Sequence, residues 1–236
     1  MTGHAEQDGG TPQPWRLEAM DEPGVDPDLL ADSLDHLAVL TALSGARRAI
    51  GAAVERMAPA GAVRIVDVGA GGGDVMRYLR RRLGGRLELG LCVEPHAATA
   101  ACGRARCAAA ADLRYLRADA RALPFADGAC DIAMMHMALH HIPPGARAAA
   151  LAELARVARA GVLLTDLTRS ALNRVGARLL SATVWRSNPV IREDAPLSVE
   201  RGFAHGELEA VAADAGLRDV HVRGILGHRL LLTSAA

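Results

Sequence analysis

The sequence predicts an α/β protein built on a mostly parallel sheet, and three observations carry that expectation. From Val63 onward, short apolar runs alternate with segments of helical periodicity. The first run, Val63 to Val68, passes through Asp67 into Gly69, Gly71 and Gly73, which reads as a glycine loop between a strand and a helix. The next apolar run closes on an acidic residue, Glu94. Runs that are apolar along their whole length suit strands buried on both faces, as in a parallel sheet covered by helices.

Each element follows from its own signals. Residues 1–14 are polar and rich in glycine and proline, so a disordered tail is expected there, without the apolar core of a signal peptide. Asp26-Pro27 reads as an N-cap followed by a first-turn proline, and Leu30, Leu34 and Leu37 recur at helical spacing over 27–43. Ser44 is expected to cap a second helix carrying Ile50, Val54 and Met57, which Pro59 and Gly61 end. Strands are expected at 63–68, 87–94, 113–118, 130–135 and 161–167, with helices at 73–83, 96–110 and 144–159 between them. Residues 168–204 break the rhythm: a helix near 170–184 precedes a polar, proline-containing stretch, Arg186 to Gly202, read as irregular. A helix over 205–215 leads to two apolar runs, 218–224 and 228–233, separated by Gly227 as in an antiparallel hairpin. The expected organisation is a tail (1–14), a helical cap (15–60) and a main domain (61–236) with a lid insertion at 168–204.

Composition narrows the partners. At 236 residues, half of them hydrophobic, the chain fits one sizeable domain with a small appendage. Basic and acidic residues balance at 27 each, which lacks the basic footprint of an obligatory nucleic-acid binder. All the basic residues are arginine, and the abundance of Ala, Arg and Gly suggests a GC-rich bacterial genome. The four cysteines show no metal-binding spacing and read as reduced and structural. No run approaches the ~20 apolar residues of a membrane span, so a soluble cytoplasmic protein is expected.

The glycine loop points to a nucleoside cofactor at the sheet edge. A dinucleotide fingerprint would place glycines at 69, 71 and 74, but position 74 is aspartate, which would repel a pyrophosphate at the helix N-terminus. A cofactor without phosphates fits better, and a nicotinamide-dependent oxidoreductase is the disfavoured alternative. Glu94 is placed to accept both hydroxyls of a ribose. Asp119, after the third strand, could accept from an adenine amino group or form an Asx-turn.

Asp67-x-Gly69-x-Gly71-x-Gly73, Glu94, Asp119-Ala-x-x-Leu-Pro124-Phe125 and the run from Asp131 to His140-His141 resemble the class I S-adenosylmethionine-dependent methyltransferases, nearest the ubiquinone/menaquinone group. Glu18-Ala-Met-Asp21, Asp26-Pro-x-x-Leu-x-x-Ser-Leu and Ser198-Val-x-Arg201-x-Phe203 are similar, more loosely, to bacterial methyltransferases associated with type III polyketide synthases. The resemblance implies a Rossmann-like, seven-stranded, mostly parallel sheet with an antiparallel C-terminal hairpin and a helical N-terminal cap. It implies S-adenosyl-L-methionine as cofactor, passed by Asp67 and the backbone of Gly69, Ala70, Gly71 and Gly73. It places the ribose on Glu94 and Pro95, the adenine by Asp119 and Ala120, and Met135 and His136 over the cofactor. Where the family carries a Pro-Gly turn before strand five, this chain has only Ala158-Arg-Ala-Gly161, so a shortened turn is expected. No Asn/Asp-Pro-Pro-Tyr sequence follows strand four, which argues against nucleic-acid bases as substrates, and no Asp/Asn set of the metal-dependent catechol enzymes is present. No metal is therefore expected, although His140-His141 leaves one open.

The expected reaction is O-methylation of a phenolic or polyketide-derived small molecule. C-methylation of a quinone or polyketide precursor is the alternative, as is a non-methylating binding protein that guides a rearrangement or cyclisation. A phenol becomes a better nucleophile once deprotonated, and histidine suits that task near neutral pH. His141 is the favoured base, then His140; His205, opening a late helix, is a third candidate. Trp185, Arg186, Asn188, Arg192 and Arg201 are the candidate acceptor-binding residues of the lid, with a solvated loop as the plainer reading. A monomer or homodimer is expected.

Overall fold

Two helices, bent by 68° at the break between them, precede the sheet. The computed structural model describes residues 15–235; the expected tail at 1–14 lies outside the described residues. Helix α1 is Pro27–Leu43, capped by Asp26, whose Oδ1 accepts from Asp28 N and Leu29 N at 2.8 and 3.2 Å. Helix α2 is Ala46–Met57, and its N-cap is Gly45, not the expected Ser44. Ser44 instead ends α1, where its hydroxyl donates to Thr41 O at 3.2 Å. The connection needs a residue at φ +77°, a left-handed conformation that glycine adopts without steric cost, so the turn places Gly45 at the cap.

The alternating segments follow as expected: β1 Val63–Val68, α3 Asp74–Leu83, β2 Leu87–Val93, α4 Ala97–Cys107, β3 Leu113–Leu116, β4 Cys130–His136, α5 Arg147–Val157 and β5 Ala158–Leu167. Three helices come next, α6 Ala171–Ala182, α7 Pro189–Arg201 and α8 His205–Asp214, then the hairpin β6 Arg218–Ile225 and β7 Arg229–Ala235. The sheet has seven strands in the order β3-β2-β1-β4-β5-β7-β6. Strands β1 to β5 pair in parallel, and β7 pairs antiparallel with both β5 and β6. The shortened turn before β5 is reduced to nothing: α5 ends at Val157 and Ala158 already pairs with Cys130 of β4.

A core lies on each face of the sheet. One joins Ile50 and Val54 of α2, Met76 and Leu79 of α3 and Cys107 of α4 to Ile65, Ile132 and Leu163. The other joins Leu151 and Leu154 of α5 and Leu208 and Ala212 of α8 to Val66, Ala133 and Val162. Each such buried aliphatic side chain contributes about 1.5–3 kcal/mol by leaving water. All four cysteines are free. Among the described residues no single helix is long and apolar enough to cross a membrane.

Residues 186–202 depart most from expectation. Residues 189–201 of the stretch form α7, whose first turn is set by the Asn188 cap, accepting from Val190 N at 3.0 Å, and by Pro189. Pro196 lies inside this helix and cannot donate to the Arg192 carbonyl one turn back. Ser181 of α6 donates its hydroxyl to that carbonyl at 3.0 Å instead. A neighbouring helix thus supplies the missing donor, and α7 packs against α6, α1 and the turn that follows β4.

Candidate active site

A cavity of about 250 Å³ opens at the C-terminal edge of the sheet. One wall is the glycine loop. Gly69 N and Ala70 N both donate to Val93 O, at 2.8 and 3.1 Å, which ties the loop to the end of β2. Gly69 and Gly73 have φ of +72° and +70°, and a Cβ would meet Ala138 at the first and the Tyr115 hydroxyl and Cys107 sulfur at the second. Neither position accepts a side chain without displacing a neighbour. Glu94 stands beside the loop. Its Oε2 accepts from Gly71 N at 3.0 Å and its Oε1 from His96 N at 3.1 Å. A carboxylate has about four acceptor sites, so one on each oxygen is left for a second donor. Burial raises the Glu94 carboxyl above its ordinary pKa, while the two amides pull it back.

The opposite wall is a cluster of histidines and carboxylates. Strands β4 and β5 run side by side with His136 opposite Thr165, so the short 3-10 turn Leu139–His141 after β4 lies next to Asp166 near the end of β5. His140 is 1 % exposed; its Nδ1 donates to Asp166 Oδ1 at 2.6 Å and its backbone N to Oδ2 at 3.2 Å. Burial would raise the Asp166 carboxyl, but His140 and the Leu167 and His140 amides hold it below its ordinary value. His141 Nδ1 pairs with Asp21 at 2.7 Å. Burial would push the His141 imidazole down, but Glu18 and Asp21 outweigh it and hold it up at about 9.

Glu18 faces both histidines, its oxygens 4.0 Å from His140 Nε2 and 3.7 Å from His141 Nε2. It is itself buried, accepts from Ser198 Oγ at 2.8 Å and pairs with Arg201 at 3.3 Å. Asp194 of α7 accepts from Ala19 N and Met20 N at 2.6 and 3.0 Å, fixing the segment that carries Glu18 and Asp21. Burial raises Asp194 to about 6.

Of the expected cofactor residues, Gly69, Ala70, Gly71, Glu94, Pro95, Ala120, Met135 and His136 line the cavity. His136 is pinned between Thr41 and Thr165, and burial drives it down to about 3, so it stands as a neutral wall. Three others do not line it. Gly73 is buried behind the loop. Asp67 is buried with its Oδ1 unpartnered, and its carboxyl is raised well above the usual range by burial, Asp74 and Glu94. Asp119 is exposed, paired with Arg121 and accepting from Arg121 N at 2.8 Å, which is the Asx-turn arrangement.

The expected acceptor residues fare differently. His140 and His141 meet at the cavity, whereas His205 is exposed at the start of α8 beside Glu209 and does not line it. Because 189–201 is helical, its pocket-facing residues are Ile191, Asp194, Ala195 and Ser198. Trp185 is buried elsewhere, Arg186 and Arg192 are exposed, and Arg201 reaches Glu18 and the Trp15 ring rather than the cavity. Asn188 is buried as a brace, donating to Leu29 O and Ser33 Oγ of α1 at 2.9 and 3.0 Å.

Sequence reasoning missed Glu18, Asp21, Asp166, Asp194 and Arg229 as site residues. Arg229 is 1 % exposed, lines the cavity and leaves Nε and Nη1 unpartnered, with burial lowering it to about 10. An arginine opening an otherwise apolar strand was the available signal for it.

Residues 65–161 match a family described as a methyltransferase domain. A comparison with curated proteins finds no match. Among solved structures, the chain is similar to an S-adenosylmethionine-dependent methyltransferase from Aquifex aeolicus, with a TM-score of 0.65 and 17% identity over 89% of this chain and 97% of that one. Human N-acetylserotonin methyltransferase, solved with S-adenosylmethionine, gives 0.67 and 11% over 89% of this chain and 56% of that one. The CurJ carbon methyltransferase gives 0.62 and 15% over 90% and 61%. The matched segment is a methyltransferase domain, and the chain shares the fold of these S-adenosylmethionine-dependent methyltransferases. The residues present suit S-adenosylmethionine: a loop backbone open to the cavity and a carboxylate with free acceptor sites.

Proposed function

We propose that the enzyme methylates an oxygen of a small phenolic or polyketide-derived acceptor, with His140 as the base. The observation that carries this reading is the His140–Asp166 pair. With Nδ1 donating to a buried carboxylate, Nε2 is left as the acceptor and is the atom turned toward Glu18 and the cavity. S-adenosylmethionine, when bound, supplies a methyl group already activated on a sulfonium. The task left to the protein is to deprotonate the acceptor, align it and exclude water. His140 takes the phenolic proton at Nε2, and Asp166 stabilises the imidazolium that results. His141, protonated at neutral pH, is suited to hold the anionic oxygen rather than to act as base. Glu94 holds the ribose, and the 69–72 backbone passes the methionine portion.

Helix α7 serves as the lid over the acceptor, through Ile191, Asp194, Ala195 and Ser198. C-methylation is the second reading, since the same dyad could remove a proton from an acidic carbon and carbon methyltransferases share the fold. The test is formation of S-adenosylhomocysteine with a panel of phenols and β-diketones, followed by locating the new methyl group by NMR. An O-methyl product is expected. A C-methyl product would move the enzyme to the second reading, and no product from either class would remove both.

A further inference from the structure

We propose that Glu18, His140 and His141 form a site for one divalent transition-metal ion, with an open position that takes the acceptor oxygen. The donor atoms of these three residues lie within 4.8 Å of one another, and all three residues line the cavity. Two imidazoles and one carboxylate are the ligand set of catalytic zinc sites that keep a fourth position open. Bonds of about 2.0–2.2 Å would bring tetrahedral ligands to roughly 3.4 Å from one another. The Glu18 separations, 4.0 Å from Oε1 to His140 Nε2 and 3.7 Å from Oε2 to His141 Nε2, are too long for hydrogen bonds, and the three donors, within 4.8 Å of one another, would draw together around an ion.

The surroundings make the stronger case. Each histidine gives its Nδ1 to a carboxylate, His140 to Asp166 at 2.6 Å and His141 to Asp21 at 2.7 Å. That fixes both rings with Nε2 toward the same carboxylate, the orientation that metal-bound histidines show. Glu18 is anchored in turn by Ser198 and Arg201. A general base needs one such histidine; two adjacent ones, each braced by its own carboxylate and aimed at a third, satisfy a coordination centre. The ion would replace the proton on His141 and occupy Nε2 of His140, so in the metal-bound enzyme His140 would act as a ligand and not as the base; an acceptor oxygen bound to the ion would lose its proton more readily, to solvent water. This inference rests on the proposed function only for the place of the acceptor oxygen.

The full chain, stripped with a chelator and dialysed, is titrated with Co²⁺ by calorimetry and visible absorption. One equivalent per chain, with the ligand-field bands of a low-coordinate nitrogen–oxygen site, is expected. Glu18→Gln and His141→Asn should each abolish that uptake, and Asp21→Asn should weaken it at least tenfold. All three variants should bind S-adenosylhomocysteine as the parent does, which reports that they fold. No Co²⁺ uptake by the parent, or uptake unchanged in Glu18→Gln and His141→Asn, overturns the site. If the parent takes no Co²⁺ while His140→Asn alone stops methylation, the metal site falls and the base reading stands. If Co²⁺ binds as described and no phenol is methylated, the metal site stands and the acceptor reading falls.

Discussion

The two walls of the cavity are built by different means. The wall proposed for the cofactor comes from contiguous backbone: a glycine loop tied to the next strand by Gly69 N and Ala70 N, with Glu94 directly after that strand. The wall proposed for the acceptor is assembled from the 18–21 segment, the turn after β4, the end of β5 and helix α7. Its central contact, Ser198 with Glu18, joins residues 180 apart. A wall of backbone tolerates side-chain change except at a few glycines and one carboxylate. A wall of buried ionisable side chains depends on every partner, because a charge left unpaired there is costly.

The largest expected effect lies on the acceptor side. His140→Ala should lower kcat by about 10²–10⁴-fold with cofactor affinity intact, measured by steady-state kinetics beside calorimetry. Retained turnover would strip His140 of its role as base. On the cofactor side, Glu94→Ala should weaken S-adenosylmethionine binding by about 1.5–3 kcal/mol; unchanged affinity would take Glu94 out of the ribose site.

A pH measurement probes the seam between the walls. His136 is held at about 3 in the fold against 6.5 in the unfolded chain. Below 6.5 the unfolded state therefore binds the extra proton, and stability falls as pH drops toward 3, by up to about 1.4 kcal/mol per unit from this group. His136→Asn should flatten that slope in urea titrations at pH 4 to 7, and an unaltered slope would contradict a neutral His136.

Smaller effects separate helix from loop in the lid. Ser181→Ala should cost about 0.5–1.5 kcal/mol in thermal unfolding, because the Arg192 carbonyl loses its substitute donor. Arg192→Ala should change stability by no more than about 0.5 kcal/mol and leave kcat/KM as it is; a marked loss of activity would return Arg192 to the acceptor site.

The legibility of each wall follows from how it is built. The glycine loop, Glu94 and the ends of β1 and α1 could be read because strand burial, glycine spacing and a capping Asp-Pro are local patterns. Asp119 shared a pattern with an Asx-turn, and its partner Arg121 two residues on decided between them. The stretch 186–202 read as irregular because Pro196 interrupts a helix in isolation; only α6, through Ser181, supplies what the proline lacks. His205 had the right residue type at a helix start, but α8 packs on β6 and α5 and leaves it in solvent.

By itself, then, the sequence determined the sheet, the glycine loop with Glu94 beside it and the histidine pair, since each depends on hydrophobic period or backbone conformation within a few residues. The tertiary structure alone decided what those histidines face. Burying Glu18, Asp21 and Asp166 around them requires the N-terminal segment, two strand ends and α7 to close on one point. No short window of sequence records that closure, because the charges stabilise one another only after packing has removed the water between them.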